Sequence, residues 1–217
     1  MAKNLFGLAV LAFVVGTACS FARNIANFGA TETPAPLAEP ISFPSAEPTV
    51  APPQAKEIVI PHATITYYDI FGSTESELRT ELDRLGPVDY QGYKGDANTK
   101  WFISWNWPGY GSSSCDLSQA NVSYEVEVIF PRWEPPADVS PALLVKWDAY
   151  THALAEHEKG HVDNIVNSYQ TVADAIAQAT CDTADAAASA ALDPIRQRDA
   201  DYDNETNHGA TQGARFP

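Results

Sequence analysis

A single stripe of residues in the C-terminal half constrains this chain more than any other feature. Trp147, Tyr150, Leu154, His157, His161, Ile165, Tyr169, Val172 and Ile176 follow one another at steps of three or four, the spacing that puts side chains on one face of an α-helix. Ser140 is a good N-cap and Pro141 a good first helical residue, so the pattern predicts a long helix running from there towards Gln178. The stripe is apolar apart from its histidines, and burying it carries both imidazoles into the interior.

Those histidines belong to His157-Glu158-Lys159-Gly160-His161. At spacing i, i+4 two imidazoles project from adjacent turns, close enough to share one tetrahedral zinc, while the intervening glutamate lies to one side. Zinc lowers the pKa of a bound water to about 7 and polarises a carbonyl. Glu158 is then the expected general base, taking the water's proton and passing it to the leaving amine.

A catalytic zinc needs a third protein ligand and an open fourth position. The extended pattern H-E-x-x-H-x-x-G-x-x-H is excluded, since Asn164 and Asn167 stand where Gly and His would be. His208, in Tyr202-Asp203-Asn204-Glu205-Thr206-Asn207-His208-Gly209, is the expected third ligand, because Gly209 and Gly213 permit backbone angles that would swing it onto the metal. Asp203 and Asp163 are the alternatives. Tyr202 is a candidate donor to a developing oxyanion.

Around the helix the chain reads as a small α+β domain. Residues 58–70, rich in Ile, Val, Thr and Tyr, suit a first strand. A short helix follows, with Thr74 and Glu77 at capping-box spacing, Leu78, Leu82 and Leu85 on one face, and Gly86-Pro87 as the stop. Trp101, Ile103, Trp105 and Trp107 alternate with Phe102, Ser104 and Asn106, and Val122 to Phe130 alternate likewise. Period two predicts two strands, joined antiparallel through the Gly/Ser-rich segment 108–114. After the long helix, an Ala-rich helical stretch from Thr183 to Leu192 breaks or restarts at Asp193-Pro194 and leads into a polar tail.

The N-terminal quarter has a different character. Lys3 followed by an apolar run from Leu5 to Val15 reads as an export signal within residues 1–22. Cys19 is either the lipid-modified residue of a lipoprotein, and so a membrane tether, or an ordinary signal boundary. Residues 23–56 are dominated by Pro, Ala, Glu and Ser and read as an extended linker, leaving 57–217 as the folded domain. Export implies an oxidising compartment, where the remaining cysteines, Cys115 and Cys181, are expected to bridge. With 28 acidic against 13 basic residues and a formal net charge of −15, the chain would repel a phosphate backbone, which argues against nucleic acid as a partner.

The residues just quoted, together with Trp101-Phe102-Ile103-Ser104-Trp105, Cys115, Pro131-Arg132-Trp133 and Tyr202-Asp203-x-x-Thr206-x-His208-Gly209, resemble a bacterial family of predicted secreted Zn-dependent proteases over about residues 58–209. The resemblance implies a metallopeptidase-like, zincin-like α+β domain holding Zn2+, with a small antiparallel sheet packed on the HExxH helix. The expectation is therefore a secreted or cell-envelope zinc peptidase acting on a peptide or protein. The rival reading is a non-enzymatic surface protein whose metal site is structural.

Overall fold

A computed structural model describes residues 57–217. The expected signal segment, Cys19 and the linker lie outside the described residues. Among the described residues no helix is long and apolar enough to cross a membrane.

The sheet comes first in the chain. Strand β1 (Thr64–Ile70) leads into helix α1 (Glu75–Leu85), then β2 (Asn98–Asn106) and β3 (Asn121–Trp133). Thr74 caps α1 with the reciprocal bonds expected of a capping box, its hydroxyl accepting from Glu77 N while Glu77 accepts from the Thr74 backbone. Gly86 closes the helix, its N–H donating to Leu82 O. Leu78 and Leu82 are fully buried beneath it.

Strand order is β1-β3-β2, with β2 antiparallel to β3 as expected. The expectation of a purely antiparallel sheet fails at β1, which pairs parallel to β3, Thr64 opposite Glu127 through Ile70 opposite Trp133. The chain reverses direction twice before β3 forms, once through α1 and once through the loop after β2, so β1 and β3 point the same way. The first strand is also shorter than residues 58–70 suggest, because His62 adopts a left-handed φ of 67° just before it and turns the chain. Central β3 has neighbours on both sides, and Val126, Val128, Phe130 and Trp133 are buried there. Burying each such side chain contributes about 1.5–3 kcal/mol.

Against the sheet lies α2 (Pro141–Ser168), capped by Ser140, whose hydroxyl accepts from Leu143 N, and opened by proline. Tyr169 keeps helical angles between α2 and α3 (Gln170–Ala177), so the apolar stripe continues through buried Val172 and Ile176. Helix α4 (Ala184–Ala190) follows, and α5 (Leu192–Thr206) then runs back along α2. Pro194 falls in the first turn of α5, where a missing N–H costs nothing. The polar tail expected beyond Pro194 is thus a helix for its first half. A disulfide joins Cys115 to Cys181, as expected, with an S–S distance of 2.05 Å.

Candidate metal centre

Helix α2 buries His157, Glu158 and His161 at 4%, 4% and 8% exposure, among the few buried polar residues of the domain. Helix α5 supplies the groups facing them. Asp203 Oδ1 lies 3.4 Å from His157 Nε2 and 3.2 Å from His161 Nε2. Donor atoms of His157, His161 and Asp203 all fall within 4.8 Å of one another.

The outer nitrogens of both rings are fixed. His157 Nδ1 is 2.9 Å from Gln212 Oε1, and His161 Nδ1 is 3.3 Å from Asp199 Oδ1. An amide oxygen and a carboxylate oxygen accept only, so each Nδ1 carries the proton and each Nε2 presents a lone pair to Asp203 in the neutral ring. Both Nε2 atoms approach the same carboxylate oxygen, an arrangement that could hold a metal ion and that a proton on a ring nitrogen also satisfies. Metal–ligand bonds of about 2.0–2.1 Å at tetrahedral angles would set donor–donor separations of about 3.3–3.4 Å, which the Asp203 distances match.

Burial disfavours a charged His161, but Asp199, Asp203 and Glu158 outweigh it and push its pKa up to about 10. Burial would likewise raise Asp203, yet its hydrogen bonds to His157 and His161 hold the carboxyl well below the usual range.

A further ring of contacts holds these side chains in place. Asp199 accepts from Trp101 Nε1 at 2.6 Å and from Asn164 Nδ2 at 2.7 Å, so β2 and α2 both fix the carboxylate that orients His161. Gln212 Nε2 donates to the Tyr202 hydroxyl at 3.1 Å, and the Tyr202 ring stacks on His157 with centroids 5.2 Å apart. Glu158 Oε2 accepts from Thr99 Oγ1 of β2 at 2.6 Å. Glu158 lines the same cleft of about 670 Å³ as His157, His161 and Asp203.

The motif after α5 is a device for bringing the chain back to the site. Asn207, His208 and Gly209 have φ values of 50°, 50° and 75°, three successive left-handed residues that reverse the backbone within one turn. Thr206 secures the reversal, donating to Tyr202 O at 2.7 Å and accepting from Gly209 N at 3.2 Å. A Cβ at position 209 would lie 2.9 Å from the His157 ring, so only glycine lets the chain close over that imidazole and deliver Gln212.

Of the sequence-derived ligand candidates, the structure brings together His157, His161 and Asp203. His208 stands beside this group, with Nδ1 3.7 Å from Asp203 Oδ1 and its ring stacked on Tyr93 at 3.8 Å. Asp163 is ion-paired with Lys159 on the helix surface. Tyr202 packs against α2, and it is not among the side chains lining the cleft. Sequence reasoning missed Thr99, Asp199 and Gln212. Asp199 precedes Asp203 by four residues, a one-face spacing that a helix assigned beyond Pro194 would have shown; Thr99 and Gln212 carry no local signal.

These features define an α+β domain with a His/His/Asp cluster beside a buried glutamate in a cleft. The chain belongs to a family described as bacterial proteins of unknown function (DUF922), whose family model matches residues 65–209. Comparisons with curated proteins and with solved structures gave no match.

Proposed function

We propose that this protein is a zinc-dependent hydrolase of peptide bonds, with His157, His161 and Asp203 as metal ligands and Glu158 as general base. The observation that carries the reading is the pair of Nε2 atoms that both approach one oxygen of Asp203, their rings held by Gln212 and Asp199. Three protein donors leave a fourth tetrahedral position open, the arrangement of a catalytic and not a structural zinc. Imidazole and carboxylate donors suit zinc. When bound, zinc supplies Lewis acidity, lowering the pKa of water to about 7 and polarising a carbonyl.

The chain's own residues do the rest. Glu158 is buried and receives a hydrogen bond from Thr99 on one oxygen, which leaves the other to take a proton from water and return it to the departing amine. Asp199 and Gln212 keep both imidazoles in the tautomer that presents Nε2.

The cleft wall favours an extended peptide. Residues 97–102 all line it, although side chains of a strand alternate between faces. Six consecutive residues reach one cavity when the strand presents its edge, and β2 is an edge strand whose sheet partner is β3. A free strand edge offers a peptide main chain a ladder of hydrogen bonds. An envelope or secreted location, read from residues 1–22, fits a peptidase of that compartment.

The test is elemental analysis and peptide cleavage with Glu158→Gln beside His157→Ala. The glutamine variant is expected to keep about one zinc per chain and lose turnover by at least about 100-fold, while His157→Ala loses both. Undiminished turnover in Glu158→Gln would remove the glutamate from the mechanism, and zinc-free protein that takes up no added zinc would sink the reading.

A further inference from the structure

Of the histidines that line the cleft, His208 is the one that the His157–His161–Asp203 cluster leaves over. Its side chain is one-third exposed, with Nδ1 3.7 Å from Asp203 Oδ1. Nδ1 faces the carboxylate, so the proton of the neutral ring belongs there, yet 3.7 Å is beyond hydrogen-bond reach. Among the described residues the ring makes no hydrogen bond; its contacts are this long approach and the stack on Tyr93. Other donors near the cluster are spent, Thr99 on Glu158, Trp101 on Asp199 and Arg79 on Asp96. Tyr202, the oxyanion donor expected from the sequence, does not line the cleft.

The unspent donor is also a fixed one. Its stack on Tyr93 has ring planes 11° from parallel, so Tyr93 holds the imidazole by its face and leaves the edge nitrogens free. Tyr93 is itself pinned, its N–H donating to Asp89 Oδ1 at 2.8 Å and its carbonyl accepting from Asp89 N at 2.9 Å. The His208 backbone donates to Asp203 O at 2.7 Å and keeps a left-handed φ of 50°. That conformation is unfavourable for a residue with a side chain, and such strain concentrates at functional sites. An oxygen in the open position of a tetrahedral centre would stand about 3.3–3.4 Å from Asp203 Oδ1. With Nδ1 3.7 Å from the same atom, one point satisfies that separation together with the about 2.7–3.1 Å that an oxyanion donor needs.

We infer that His208 is a further catalytic residue, whose Nδ1–H donates a hydrogen bond to the scissile carbonyl oxygen as it becomes an oxyanion, with Tyr93 behind it as a positioning residue. This deepens the peptidase reading and rests on it. When water, losing a proton to Glu158, adds to the carbonyl carbon, the π pair of the C=O bond moves onto that oxygen. Nδ1–H stabilises the charge there without giving up its own proton. The pair returns as the C–N bond breaks, and the amine departs with the proton that Glu158 held.

The experiment uses the full chain loaded with zinc, a library of internally quenched hexapeptides, and the phosphinic counterpart of the member cleaved fastest, in which a tetrahedral phosphinate replaces the scissile amide. His208→Ala is expected to lose about 100-fold in kcat with KM and zinc content unchanged. Its affinity for the phosphinic peptide, read without turnover, should fall by about 100-fold as well. In a Glu158→Gln background the same substitution should move affinity for the uncleaved peptide by less than about threefold. Tyr93→Ala should show a smaller loss of the same kind, which Tyr93→Phe, keeping the stacked face, restores. Zinc lost along with activity, or affinity for the uncleaved peptide falling as far as that for the phosphinic one, overturns the inference. Wild type and His208→Ala that cleave equally well retain the hydrolase reading and lose this one. Zinc-loaded wild type that cleaves no member of the library overturns both.

Discussion

The phenol of Tyr202 occupies the space that a side chain at position 160 would need: a Cβ built on Gly160 would lie 2.3 Å from the Tyr202 hydroxyl oxygen and 2.4 Å from Cζ. Helices α2 and α5 therefore meet through a missing side chain, and the meeting sets the height of Asp203 over the histidines. The glycine inside the His157–His161 segment is a packing requirement of the site. Alanine would favour the helix by about 1 kcal/mol intrinsically, but Tyr202 is stacked on His157 and held by Gln212 and has little room to yield.

Gly160→Ala is accordingly expected to destabilise the domain by about 1–3 kcal/mol, the usual range for overpacking, and to weaken metal binding. Denaturant unfolding of Gly160→Ala, Tyr202→Ala and the double variant measures the coupling. The double variant should be more stable than the sum of the two single effects allows; strict additivity would show that the two residues do not compete for space.

Asp203→Asn removes the oxygen charge on which both Nε2 atoms converge. Its zinc affinity, measured by competition with a chelator, should fall by at least about 100-fold, while His208→Ala should stay within about tenfold of wild type. The reverse order would make His208 the third ligand.

Gln212 touches the site only through His157 Nδ1 and Tyr202, and it is exposed. Replacing it with alanine should lower metal affinity by about 10–100-fold, the usual effect of losing an outer-shell partner, and should shift metal-free stability by less than about 0.5 kcal/mol. A large change in metal-free stability would mean that Gln212 serves the fold and not the metal.

The Cys115–Cys181 bridge closes a loop with a sequence separation of 66 residues. On the chain-entropy model it stabilises the domain by about 4 kcal/mol. Neither cysteine lines the cleft, so a Cys115→Ser/Cys181→Ser protein that still folds should unfold at lower denaturant yet bind zinc with wild-type affinity. Loss of affinity in folded double variant would link the bridge to the site.

Local patterns in the sequence determined much of this molecule. The capping box at Thr74, the alternation of β2 and β3, the Ser140-Pro141 helix start and the stripe through His157 and His161 each depend on neighbours a few residues away, and each appears where the pattern puts it. Tertiary structure decided what local periodicity does not encode. Parallel pairing of β1 follows from how many times the chain turns before β3, and the set of residues in the His157–His161–Asp203 cluster follows from α5 lying back along α2. Asp203 and not His208 completes the convergent group because three left-handed residues at 207–209 carry the His208 ring past Asp203 to stack on Tyr93. Thr99, 59 residues from Glu158, and Gln212, 55 from His157, reach their partners only once sheet and helices have packed. A helix motif is written in spacings of three and four, whereas the groups that orient it come from wherever the fold brings a donor or an acceptor within hydrogen-bond reach.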